Sequence, residues 1–104
     1  MESMRDPKRR PTHPGELLRE DVLPALKLTQ GEIAARLGVS RLSVSELLHE
    51  KRALSADMAV RIGRLTGTSP ESWLNKQATY DLWQAKQKIK ELRRQVKPLK
   101  AKAA

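Results

Sequence analysis

The chain has 104 residues, of which 38% are hydrophobic, with no cysteine, no phenylalanine and a formal net charge of +9. This length and apolar content suit one small domain whose core is built from Leu, Ile, Val, Met and Ala, a composition that favours helices over sheets. Disulfides, thiolate metal sites and a cysteine nucleophile are excluded; no apolar run approaches the roughly 18 residues that span a bilayer, and Met1 to Pro14 lacks the apolar stretch of a secretory signal, so a cytoplasmic protein with no membrane partner is expected.

Residues 1–12 hold four bases and two acids, with Lys8, Arg9 and Arg10 between Pro7 and Pro11. The stretch is too polar and too interrupted to order itself and reads as a flexible basic arm. A first helix starts at Pro14, whose fixed φ suits the first helical position, with Glu16 near the positive end of the dipole. Leu18, Val22 and Leu26 mark one face of it, and Pro24 is expected to end or kink it near Leu23.

A second helix opens on a capping box, Thr29 followed three residues later by Glu32, runs through Ile33, Ala34 and Leu37, and stops at Gly38. Only Val39 then separates Gly38 from Ser40, a good N-cap, after which Val44, Leu47 and Leu48 fall on one side of a third helix. A fourth follows Ser55 through Met58, Ala59, Ile62 and Leu65 to Gly67.

Ser69 and Pro70 open a fifth helix that meets no breaker from Glu71 to Lys97, just before Pro98. In it Ala78, Leu82, Ala85, Ile89, Leu92, Val96 and Leu99 recur at steps of four and three, a coiled-coil-like seam. Charge divides the chain at the same place: residues 13–83 hold nine bases and nine acids, whereas 84–104 hold eight bases and one acid. The reading is therefore an all-α fold in three parts: the arm, a helix-turn-helix and dimerisation domain at 13–83, and a basic helical extension or tail at 84–104.

The segment from Thr29 to Lys51 has a mechanical reason to bind DNA. A short helix fits the major groove, a packed partner fixes its angle, and a tight turn leaves its first residues projecting. With Val44, Leu47 and Leu48 toward the core, Leu42, Ser43, Glu46 and His49 face outward, and Arg41 projects from the first turn. Arg41 suits a bidentate contact to guanine, Leu42 a thymine methyl, Glu46 the amino group of cytosine, and Ser43 accommodates either partner type. Gln30, with the amides at the start of its helix, suits a phosphate, as do Lys51 and Arg52 in the following loop.

Two clusters invite a catalytic reading and lack the means for it. Glu16, Glu20 and Asp21 have no nucleophile, metal set or phosphate loop beside them and read as a solvated helix face. Ser45 and His49, four apart, are explained as groove-facing polar residues, and His13 with His49 are too few for a metal site without thiolates. No enzyme activity and no cofactor are expected.

The motifs Thr29-Gln30-Gly31-Glu32-Ile33-Ala34, Leu37-Gly38-Val39-Ser40-Arg41 and Val44-Ser45-Glu46-Leu47 resemble the helix-turn-helix of the Xre and phage-repressor class. More narrowly, His13-Pro14-Gly15-Glu16-Leu17-Leu18 before them, and Gly67-Thr68-Ser69-Pro70-Glu71-Ser72-Trp73-Leu74-Asn75 with Tyr80-Asp81-Leu82 after them, resemble the HigA-type antitoxins. The resemblance implies a five-helix fold, a homodimer on an inverted repeat of double-stranded operator DNA in its own promoter, and neutralisation of a HigB-type toxin, a ribosome-dependent messenger RNA interferase. It places DNA contacts on Gln30, Ser40, Arg41, Leu42, Ser43 and Glu46, with Lys51 near the backbone. Glu50 departs from the pattern, standing where many relatives have a glycine; an acid there disfavours a neighbouring phosphate and removes an easy C-cap. Two alternatives stay open: an Xre-type repressor without a toxin partner, and a protein-interaction module that no longer binds DNA.

Trp73, Leu74, Ala78 and Leu82 are the candidate dimer face, with plain core as the competing reading of Trp73. A dimer contact on the fifth helix would hold two recognition helices about 34 Å apart, the spacing of successive major grooves. Further along, Lys86, Arg93 and Lys100 at e positions, with Lys88 and Gln95 at g, would set base against base in a self-pair. Residues 86–102 are thus expected to fray alone and to order against an acidic partner or along DNA phosphates.

Overall fold

The computed structural model describes residues 10–99, and among them there are helices and no strand. The expectations for the first nine residues of the arm, and for the tail from Lys100 on, lie outside the described residues. The first helix comes in three pieces: α1 (Pro14–Leu17), a π-helical turn (Leu18–Val22) and α2 (Leu23–Leu26). Pro24 does not end it; the disturbance expected near Leu23 takes the form of the π turn. The turn widens just ahead of the proline, and the Leu23 amide donates to the carbonyl of Leu18, five residues back.

That widening also shifts the helical phase by one residue, which corrects the apolar face read from the sequence. Leu18 and Leu23 are the buried pair, Val22 is half-buried, and Leu26 is 41% exposed. Lys27, in the left-handed region at φ 58°, then closes the helix.

The helix-turn-helix is α3 (Gln30–Leu37) followed by α4 (Arg41–Leu48). Both arms of the expected capping box form: Thr29 Oγ1 accepts from the Glu32 amide at 3.1 Å, and the Glu32 carboxylate accepts from the Thr29 amide at 2.8 Å. The second of these holds the Glu32 carboxyl below its ordinary pKa by stabilising its charge. Gly38 turns the chain at φ 73°, and Ser40 caps α4 by accepting from the Ser43 amide at 3.0 Å.

The remaining helices are α5 (Ala56–Thr66), α6 (Pro70–Lys86) and α7 (Ile89–Gln95). Ser55 and Ser69 cap α5 and α6, and Gly67 closes α5 at φ 75°. The fifth helix of the sequence reading is therefore two, separated at Gln87 and Lys88. The break falls where burial has run out: Gln77 is the last buried residue of α6, and α7 has none. A helix without packing rests on propensity alone, and a continuous helix would set Lys86 and Lys90 one turn apart, where like charges repel.

One core joins the elements from the first helix to α6, formed by Leu18, Leu23, Ile33, Ala34, Leu37, Val44, Leu47, Leu48, Leu54, Met58, Ala59, Ile62 and Trp73. It contains every residue expected to pin α4 from beneath. No helix among the described residues is long and apolar enough to cross a membrane.

Candidate nucleic-acid interface

The outward face of α4 carries the expected side chains. Ser40 and Arg41 are exposed, Leu42 is 66% exposed although apolar, and Ser43 and Glu46 are half-buried. His49 at the helix end is exposed, with Nδ1 2.8 Å from the Ser45 carbonyl and 3.5 Å from Ser45 Oγ. The close contact is to the main chain, so His49 closes the last turn of the helix and does not activate a serine. Gln30 lies half-buried at the start of α3, and Lys51 and Arg52 are exposed in the loop after α4. The fold thus gathers these residues at the helix-turn-helix and its following loop.

Within this set the structure makes one link that spacing did not suggest. Arg52 donates from both Nε, at 3.0 Å, and Nη2, at 2.5 Å, to the same oxygen of Glu46, Oε1. Ser40 and Ser43 are joined in turn, hydroxyl to hydroxyl, at 2.9 Å.

What holds the face at its angle is a set of braces from other helices. Gly15 sits so close to α4 that a Cβ there would stand 1.9 Å from the carbonyl oxygen of Leu47. Only a hydrogen fits that approach. His13 secures it as the N-cap of α1: its Nδ1 accepts from the Gly15 amide at 2.8 Å, and its ring meets Tyr80 of α6 edge-on at 4.8 Å between centroids. Burial holds the His13 imidazole below its ordinary pKa, with Glu50 and Asp81 opposing that shift, Arg10 adding to it and Glu16 opposing it weakly.

Two arginines reach in from outside the motif. Arg61 of α5 donates to the carbonyls of Leu37, at 2.7 Å, and Gly38, at 3.4 Å, and so holds the turn that launches α4. Arg19 donates to the Leu48 carbonyl at 2.6 Å and closes the far end. The loop is tied as well: the Leu54 amide donates to Oε1 of the buried Gln77 at 2.8 Å, and Gln77 Nε2 donates to Asp81 at 2.8 Å.

Glu50 resolves the departure noted in the sequence. It takes the left-handed conformation itself, at φ 61°, and the Lys51 amide bonds the Glu46 carbonyl at 2.8 Å, so the helix is closed without a glycine. Its carboxylate lies 3.5 Å from Arg19 and 3.8 Å from Arg10, which turns the acid toward a cationic pair. Arg10 in turn bonds Glu16 at 3.0 Å, and Arg19 bonds Glu20 at 2.9 Å, so two of the acids on the first helix are already engaged.

Of the candidate dimer residues, Trp73 is 4% exposed and packs in the core of its own chain, with Nε1 donating to Thr68 Oγ1 at 2.8 Å. Leu74 is half-buried, Ala78 is exposed and Leu82 is 56% exposed. Sequence reasoning assigned no role to Arg19, Arg61 or Gln77. Gln77 had one available signal, its place one helical turn after Trp73; Arg19 and Arg61 bond partners 29 and 24 residues away, which no local pattern encodes.

Comparison with known proteins places this geometry among relatives. The family described as Helix-turn-helix matches residues 18–73. The chain is 43% identical over 75 residues to virulence-associated protein I of Dichelobacter nodosus, covering 72% of this chain and 69% of that one. It is 38% identical over 96 residues to antitoxin HigA-1 of Vibrio cholerae, covering 92% of this chain and 90% of the relative. The solved structure of the Pseudomonas aeruginosa antitoxin HigA with the higBA promoter is similar at a TM-score of 0.79 and 38% identity, over 88% of this chain and all (100%) of that one.

Proposed function

Since the chain belongs to the helix-turn-helix family that includes the HigA antitoxins, a group of regulators and not of enzymes, we propose that it is an antitoxin and autorepressor. As a homodimer it binds an inverted-repeat operator in its own promoter, and it neutralises a HigB-type toxin. Residues 13–83 carry both DNA binding and self-association, with 84–104 as an appended basic extension. The observation that carries the reading is the outward face of α4: Arg41 and Leu42 are exposed while Gly15 and Arg19 hold the end of the helix and Arg61 holds the turn before it.

Arg41, Leu42 and Ser43 meet base edges, Glu46 accepts from a base with Arg52 beside it at the duplex, and Ser40, Gln30 and Lys51 set register on the phosphates. In the dimer, Leu74, Ala78 and Leu82 supply contact area, whereas Trp73 acts from within by supporting α6. The relatives support the same reading, since the Pseudomonas aeruginosa protein was solved with promoter DNA and the Vibrio cholerae protein is an antitoxin.

Co-expression with the product of the adjacent gene tests the antitoxin role. Rescue of growth and co-purification of the two proteins are expected. Continued toxicity with no complex, alongside binding to the promoter, would leave a repressor without a toxin partner.

A further inference from the structure

Glu46 and Arg52 were read from the sequence as separate DNA contacts, an acid for cytosine and a base for phosphate, yet two nitrogens of Arg52, Nε and Nη2, grip a single oxygen of Glu46. Among the described residues, neither Glu46 Oε2 nor Arg52 Nη1 has a partner. The pair thus leaves the Oε2 acceptor of Glu46 and the Nη1 group of Arg52 available at the edge of the recognition face.

A carboxylate brought against DNA enters a field of phosphates, and alone it would be repelled. Held by a guanidinium it enters as a neutral unit. The two side chains are partly exposed in the free protein, where such a pair contributes little. Once a duplex excludes water from this surface, the same pairing strengthens as the local dielectric falls.

From this arrangement we infer that Arg52 is a positioning residue for Glu46: it neutralises and aims the carboxylate so that Oε2 accepts from a base amino group, and the two read DNA as one unit. The inference deepens the proposed DNA-binding role and rests on it. Specificity at that base pair is therefore set jointly by a helix residue and a loop residue.

A double-mutant cycle of Glu46→Ala, Arg52→Ala and the double variant in the full-length chain tests this, with Kd for the chain's own promoter duplex measured by fluorescence anisotropy at fixed salt and folding checked by circular dichroism. Arg52→Ala leaves an uncompensated carboxylate at the interface and weakens binding roughly thirtyfold or more. Glu46→Ala/Arg52→Ala then binds roughly fivefold or more tighter than Arg52→Ala alone, because the orphaned acid is gone. In addition, Glu46→Gln changes the preferred base at one operator position while Arg52→Ala relaxes preference at that same position. A double variant no tighter than Arg52→Ala, or preferences lost at different positions, overturns the pair and leaves two independent contacts. Failure of the unmodified chain to bind its promoter overturns both this inference and the DNA-binding reading beneath it.

Discussion

Two short helices of this protein, α4 (Arg41–Leu48) and α7 (Ile89–Gln95), are nearly equal in length and opposite in circumstance. Recognition helix α4 buries Val44, Leu47 and Leu48, is capped by Ser40, and is held by the side chains of Arg19 and Arg61 and by the close approach of the first helix at Gly15. By contrast α7 has no side-chain cap and no buried residue, and Ile89, Leu92 and Val96 lie open to solvent. A helix of this length is marginal by propensity, so α4 owes its existence and its angle to tertiary packing. The candidate interface is thus fixed by packing and hydrogen bonds from the rest of the chain, whereas α7 has no buried residue to fix it.

The contrast breaks most completely at Gly15. Gly15→Val would drive a side chain into the Leu47 backbone, and a loss of at least about 4 kcal/mol is expected, read as failure to unfold cooperatively in urea. Paired truncations of leucine sharpen it: Leu48→Ala should cost about 3 kcal/mol by chemical denaturation, and Leu92→Ala under about 0.5 kcal/mol. Equal costs would mean that the two helices are supported alike.

A smaller effect is tied to pH. His13 has a folded-state pKa below its ordinary value of 6.5, so as pH falls through that value the unfolded chain takes the proton first and stability drops. Protonation also removes the acceptor that caps α1 at the Gly15 amide. Thermal midpoints should therefore be highest above pH 6.5 and decline below it, and His13→Asn, a neutral N-cap, should flatten that decline. An unchanged slope in the variant would assign the pH dependence elsewhere.

The least effect is expected from truncation after Gln84. Self-association should persist in sedimentation and the thermal midpoint should hardly move, while binding to DNA or to a protein partner weakens. Loss of the dimer would instead show that the extension holds the two copies together.

Local signals made much of the fold legible. The Thr29–Glu32 box, the Ser40, Ser55 and Ser69 caps, and the glycines at 38 and 67 each satisfy backbone groups within a few residues, and all formed as read. The first helix was misread because a π turn changes periodicity without any residue that announces it; Pro24 signalled a disturbance but not its kind. The end of the fifth helix was misread because the heptad pattern of Leu82, Ile89, Leu92 and Val96 states which residues could pack, not whether anything covers them. The outer face of α4 could be listed from a helical wheel. Its supports could not, since Arg19, Arg61 and Gln77 act over long sequence separations, and the Glu46–Arg52 link depends on how the loop folds back.

The central claim is that the braced outer face of α4 reads DNA, and Arg41 tests it most directly because it is exposed and, among the described residues, bonds no other side chain. Binding of the full-length chain and of Arg41→Ala to the chain's own promoter duplex should be compared at one salt concentration, beside a scrambled duplex of equal length. The account predicts sequence-specific binding that weakens by about 1 to 3 kcal/mol in the variant, with thermal stability unchanged. Equal affinity of the two proteins for the promoter, or no preference for promoter over scrambled DNA, would contradict it.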